Sequence, residues 1–175
     1  MASRTIVLFA LACAAMVFAV THFAPIPGGL VELRAATGGR PILDLQPSFA
    51  ADEVYARLEA FGHAGRELYQ RFLVTTDVVF PLSLLGFLVA LAHHASIGMA
   101  PLRRGVLLAL PGFWFALDMA ENVSIYWLLS QYPDRDDVVA SALGFVTSGK
   151  RAALIVALGA PLLTMAIARV RRWGR

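Results

Sequence analysis

Four long runs of apolar residues, separated by shorter polar or basic segments, dominate the pattern along the chain. They cover Thr5–Ala24, Phe72–Ala95, Gly105–Leu129 and Ala152–Ala168, and the last reaches about 150–170 where its helix begins before Lys150. Each is close to the about 20 residues that carry an α-helix across about 30 Å of hydrocarbon. The pattern thus predicts spans at about 5–24, 72–95, 105–129 and 150–170 within a single domain, 1–175. Between the first two spans lies a loop, 25–70. Its "PIPGGL" and "ATGGRP" are Pro/Gly breakers, so Pro25–Pro41 reads as irregular. From Ser48 onward Phe49, Val54, Leu58, Phe61 and Leu68 recur at broadly helical spacing, with Asp52 and Glu53 in the first turns. This predicts an amphipathic helix at about 48–64, lying on the outer membrane face or capping the bundle, and broken by Gly62 and Gly65 before the second span.

Composition sharpens the class. A chain of 175 residues that is 58% hydrophobic and 15% charged, with a mean hydropathy of +0.67, is too apolar for a soluble domain of this length. The expected fold is all-α: a polytopic membrane protein with a four-transmembrane-helix bundle and an extracytoplasmic amphipathic helix. The one cysteine, Cys13, lies inside the first span, which excludes a disulfide framework and a thiol metal cluster. Arg4 ahead of an apolar run also fits a cleaved leader, but the run is long for one and "THFAP" lacks a small-x-small cleavage pattern, so a retained span is expected. The formal net charge of +3 conceals a strong asymmetry. Arg4, Arg103, Arg104, Arg169, Arg171, Arg172 and Arg175 fall on one side with no acid among them, whereas the loop 25–70 and "QYPDRDD" at 131–137 are each net −2. The positive-inside rule then puts both termini in the cytoplasm and both acidic loops outside. The basic tail reads as a topology anchor at anionic headgroups, with no nucleic acid as partner.

Against this background, "FALDMAENVSIYW" at 115–127 stands out. Asp118, Glu121 and Asn122 are spaced i, i+3, i+4 and share one helix face, with Trp114 one turn further in. An ionised carboxylate in hydrocarbon costs several kcal/mol, so such groups face protein or water, lose their charge, or bind something. The second span adds Asp77. Were its helix unbroken from Gly65, Arg66, Gln70 and Asp77 would form one polar stripe descending from the outer surface, beside Tyr69, and Pro81 would free the Asp77 carbonyl on the same face. Lys150, entering the fourth span from outside, is placed to supply positive charge. Four readings compete: a polar network fixing helix packing, a site for a polar or cationic group of a lipophilic ligand opening to the outer leaflet, proton or cation handling, and acid–base catalysis. Phe113, Phe115, Tyr126 and Trp127 are further candidates to line a ligand site. No activated Ser or Cys nucleophile accompanies the acids, so enzymatic activity is not expected. The reading carried forward is ligand binding at Asp77, Asp118, Glu121, Asn122, Arg66, Tyr69, Trp114 and Lys150, without metal and with no cofactor indicated. The rivals are a proton- or cation-coupled carrier, and a non-catalytic subunit of a larger membrane complex. Expected partners are membrane lipids, a lipophilic small molecule, and either a second copy or a partner membrane subunit.

Other motifs carry little chemistry. His93 and His94 are adjacent and hence about 100° apart on a helix, where two metal ligands need i, i+4 spacing. "GKR" at 149–151 lacks the glycine spacing of a phosphate loop, and the sequon "NVS" falls inside a span. Taken together, "DLQP" at 44–47, "GHAGRELY" at 62–69, "DVVFP" at 77–81 and "DMAEN" at 118–122 resemble a group of small four-helix bacterial integral membrane proteins with no known activity. The resemblance covers most of the chain after the first span and implies a four-span bundle, and nothing about chemistry. A looser similarity links the chain to four-helix sterol-isomerase and sigma-2-receptor-like proteins, which also hold acids inside a small bundle that binds lipophilic molecules. Their motif order and spacing differ, so no steroid site is carried over.

Overall fold

The computed structural model describes residues 2–173 and is helical throughout, with no strand among them. Arg175, one of the basic residues that orient the chain, lies outside the described residues, as does the side chain of Arg172. The helices are α1 (Ala2–Phe23), α2 (Leu30–Ala36), α3 (Ala51–Ala60), α4 (Gly62–Val74), α5 (Thr76–Ala95), α6 (Pro101–Gln131) and α7 (Asp137–Trp173). Four segments, Ser3–Phe23, Gly62–Ala95, Pro101–Gln131 and Asp137–Arg171, are long and apolar enough to cross a membrane.

Several boundaries depart from the sequence pattern. The segment 25–41 is not wholly irregular, because Leu30 and Leu33 are buried together on one face and "LVELRAA" closes a short helix, α2, around them. The amphipathic segment is shorter than 48–64: α3 stops at Ala60, and Gly62 takes φ +65, a left-handed conformation that glycine adopts without strain. Gly65 does not break the chain. It sits inside α4, where a Cβ would stand 3.2 Å from the Ala36 carbonyl, so its role is close approach of α2. The second span is itself interrupted. Thr75 leaves the helical region at φ −122, ψ −86, and its Oγ1 donates to the Arg71 carbonyl at 2.6 Å, ending α4 before α5 begins. At 31 and 37 residues, α6 and α7 outrun the apolar spans read from the pattern.

The extra length is used for packing, and it divides the interior into layers. An outer core gathers Leu30 and Leu33 of α2, Ile42 and Leu43 of the following loop, Val54 and Leu58 of α3, Tyr69 and Phe72 of α4, Ile125 and Leu128 of α6, and Leu143 of α7. An inner core holds Ala14 of α1, Phe87, Leu88 and Leu91 of α5, Trp114 of α6 and Ala157 of α7. Helix α6 passes from the inner to the outer core while α7 passes the other way, so the two run antiparallel. Helix α1 packs chiefly on α5, leaving Leu8, Phe9, Met16 and Phe23 exposed. At the far end, Asp136 starts α7 by accepting the Val139 N–H at 3.0 Å and the Trp127 indole N–H at 3.1 Å. These two donors hold the Asp136 carboxyl below the usual carboxylate range.

Candidate functional site

Reading α6 upward from Trp114, the next residues on the buried face are Asp118, Glu121 and Asn122, and only then Ile125, Leu128 and Leu129. On α7 the order runs Ala140, Leu143, Thr147, Lys150 and then Ala157. The polar residues therefore form one layer between the two apolar cores, a direct result of both helices carrying them on the core-facing stripe.

Within this layer Lys150 bridges two acids. Its Nζ lies 3.2 Å from Asp118 Oδ1 and also donates to Glu121 Oε2, while Thr147 Oγ1 donates to Glu121 Oε1 and lies 3.1 Å from the Leu143 carbonyl. Glu121 is 0% exposed, so a charge there depends on these partners. Asn122 Nδ2 donates to the Asp77 carbonyl at 3.4 Å. That carbonyl is free because Pro81, four residues on, has no N–H to offer it. Among the described residues, two buried side-chain acceptors have no partner: Asp118 Oδ2 and Asn122 Oδ1. A buried unsatisfied polar atom costs roughly 1–3 kcal/mol, so the layer carries capacity that its own side chains leave unused. Two carboxylates, those of Asp118 and Glu121, share the one lysine.

The structure brings Asp77, Asp118, Glu121, Asn122 and Lys150 together and places the other candidates elsewhere. Arg66 does not form a stripe with Asp77, because the break at Thr75 removes the helical register that would align them. Its Nη1 donates to the Leu58 carbonyl at 2.9 Å and its guanidinium stacks on Tyr132, 4.1 Å from the ring centroid. Gln70 faces an outer groove with Glu67, Arg71 and Tyr126. Trp114 belongs to the inner core and forms the floor below Asp118. Phe113, Tyr126 and Trp127 are exposed on other faces of α6 and do not line the layer.

Tyr69 has a different task from the one expected. Fully buried in the outer core, it donates to Asp44 Oδ1 at 2.7 Å and accepts the Leu43 N–H at 3.1 Å. It thereby fixes the loop 41–48 above the polar layer. Arg57 ties the same loop down through the Pro41, Ile42 and Gln46 carbonyls and Ser48 Oγ, at 2.7–2.8 Å, and Arg151 donates to the Asp44 and Leu45 carbonyls. Thr147 did not stand out in the sequence, and Asp44 did so only as the first residue of "DLQP", with no role attached. Thr147 lies three residues before Lys150 on the same face, a spacing that points to it, whereas Asp44 sits in an irregular loop and gives no periodic signal.

Outside the layer, at the same level, an apolar cavity of about 410 Å³ opens between α1 and α5 against Val17, Val20, Thr76 and Val79, and the last two bracket Asp77 along the chain. Among the described residues, no three His, Cys, Asp or Glu side chains are placed to share a metal ion. Compared with models of known protein families, with curated proteins and with solved structures, the chain matches none.

Proposed function

We propose that this chain is a multi-pass protein of a bacterial inner membrane, with both termini cytoplasmic and an outer cap made by the loop 25–70. Its polar layer binds the cationic headgroup of a lipophilic ligand. One observation carries the binding reading: Asp118 Oδ2 and Asn122 Oδ1 are buried acceptors without donors among the described residues, in a layer where Asp118 and Glu121 share a single lysine. What would satisfy them is a group rich in N–H donors and positively charged, as a primary ammonium is. The apolar cavity beside Thr76 and Val79 offers a chain-sized surface at the same level. A carrier is less well supported, because the layer is roofed by one apolar core and floored by another, and a path through a single copy would have to open both.

The test is ligand-induced stabilisation of the detergent-solubilised protein, using a long-chain primary amine, its N-trimethyl analogue and the neutral alcohol of the same chain. The amine should raise the melting temperature of the parent with a dependence of RT ln(1 + [L]/Kd), and the Asp118→Asn protein should fold but lose that response. Equal stabilisation by the alcohol, or an undiminished response in Asp118→Asn, would remove the layer as the binding site.

A further inference from the structure

At the opposite end of the bundle, a second cavity of about 610 Å³ lies between the α5–α6 turn and the last turns of α7. Its walls are apolar at Ile97, Met99 and Ile167, and its rim carries Arg103 and Arg171. Neither arginine makes a hydrogen bond or ion pair with another described residue, and both are exposed. Among the described residues no acidic side chain is near in sequence to serve as a counter-ion, since the chain has none between Asp77 and Asp118 or beyond Asp137, and Asp118 is 15 residues from Arg103, about 22 Å along α6. Two guanidinium groups from separate helices, over an apolar trough, match an anionic phosphate that carries acyl chains. Metal chelation is excluded by the cationic rim, and a protein helix would have to bring acids to a position already level with headgroups.

We infer that this cavity is a specific site for an anionic phospholipid of the cytoplasmic leaflet, its phosphate held between Arg103 and Arg171 and a chain lying against Ile97 and Ile167. The inference shares the membrane reading above but not the polar layer, so either site can fail alone. Arg104, the next residue on α6, does not line the cavity and provides a control of equal charge.

The experiment is native mass spectrometry of the purified protein released from mixed phosphatidylglycerol and phosphatidylcholine micelles, with glycerol 3-phosphate as a soluble headgroup probe. The parent and Arg104→Gln should retain phosphatidylglycerol selectively. In Arg103→Gln/Arg171→Gln the affinity should fall about thirtyfold, at about fivefold for each arginine near the surface. Ile167→Trp, which fills the trough without altering charge, should also lose the lipid and keeps the test valid if the double variant does not fold. Equal retention in the Arg104→Gln and double-arginine proteins would overturn the site, as would retention of phosphatidylcholine at the same level. Saturation by glycerol 3-phosphate would show an anion site in place of a lipid site and overturn the assignment to a phospholipid.

Discussion

Lys150 is the residue on which the polar layer turns. It meets Asp118 and Glu121 together, and Glu121 is otherwise held only by Thr147. Removing one member of a buried ion pair leaves the other charge without compensation, a loss of about 3–5 kcal/mol, whereas removing both charges with shape kept is often near neutral. Lys150→Met should therefore lower the stability of the purified protein strongly, and Lys150→Met/Glu121→Gln should recover a large part of the loss. The measurement is thermal melting of the parent, both single variants and the double variant; additive effects would mean that the two side chains do not interact. The acids and Lys150 were legible in the sequence because charge inside an apolar run is rare and their spacing puts them on one face. Arg66 and Tyr69 make their contacts outside the polar layer for a physical reason. Their partners, Tyr132 and Asp44, lie 66 and 25 residues away along the chain and are set by tertiary packing that periodicity does not encode.

At the scale of elements, the four apolar runs were readable from length and hydropathy alone, while their internal articulation was not. Thr75 breaks the second run with no Pro or Gly to announce it, and Gly65 looks like a breaker yet is a point of close approach. The same ambiguity applies to the glycines of α7, where the surroundings separate two cases. A Cβ on Gly144 would stand 2.5 Å from the Ser48 carbonyl oxygen and 2.7 Å from Phe49 Cδ1, so this glycine lets the end of the loop that carries Asp44 lie against the helix. Nothing lies within 4 Å of a Cβ on Gly159. Gly144→Ala should push that loop away and cost about 1–3 kcal/mol through overpacking, whereas Gly159→Ala should be neutral or gain up to about 1 kcal/mol of helix propensity. Limited proteolysis of the loop 41–48 checks the first half of the contrast, with faster cleavage expected in Gly144→Ala only. Cleavage at the parent rate would show that the loop does not depend on this contact.

For the molecule as a whole, the long helices and the two cores fix how deep the polar layer sits once the bundle is in a bilayer. The basic end of α7 is at Arg169 and the layer at Lys150, a separation of 19 residues or about 29 Å; on α5 the distance from His93 to Asp77 is about 24 Å. These lengths approach the about 30 Å thickness of hydrocarbon, so in the orientation proposed above the layer would lie near the outer boundary, shallower than the mid-depth position that a span of 105–129 implies for Asp118. The outer core above it then stands in the headgroup region and beyond, where Arg57, Arg66 and the acids of α3 meet water. This placement would lower the cost of the carboxylates and, on the binding proposed above, would give a ligand headgroup a short path from the outer leaflet. Spin labels at exposed sites of the two longest helices test it in reconstituted vesicles, after Cys13→Ser leaves no native thiol to label. Val138, Val123 and Ile155 are 81%, 69% and 71% exposed and bracket the layer from above, beside and below. Accessibility to oxygen over a water-soluble nickel chelate should be lowest at Val138, intermediate at Val123 and highest at Ile155. In intact cells, a cysteine replacing Asp52 should react with an impermeant maleimide and one replacing Arg104 should not. A maximum at Val123 would put the carboxylates at the bilayer centre and remove the outer-leaflet path, and labelling of the two cysteines in the opposite sense would invert the orientation on which that path depends.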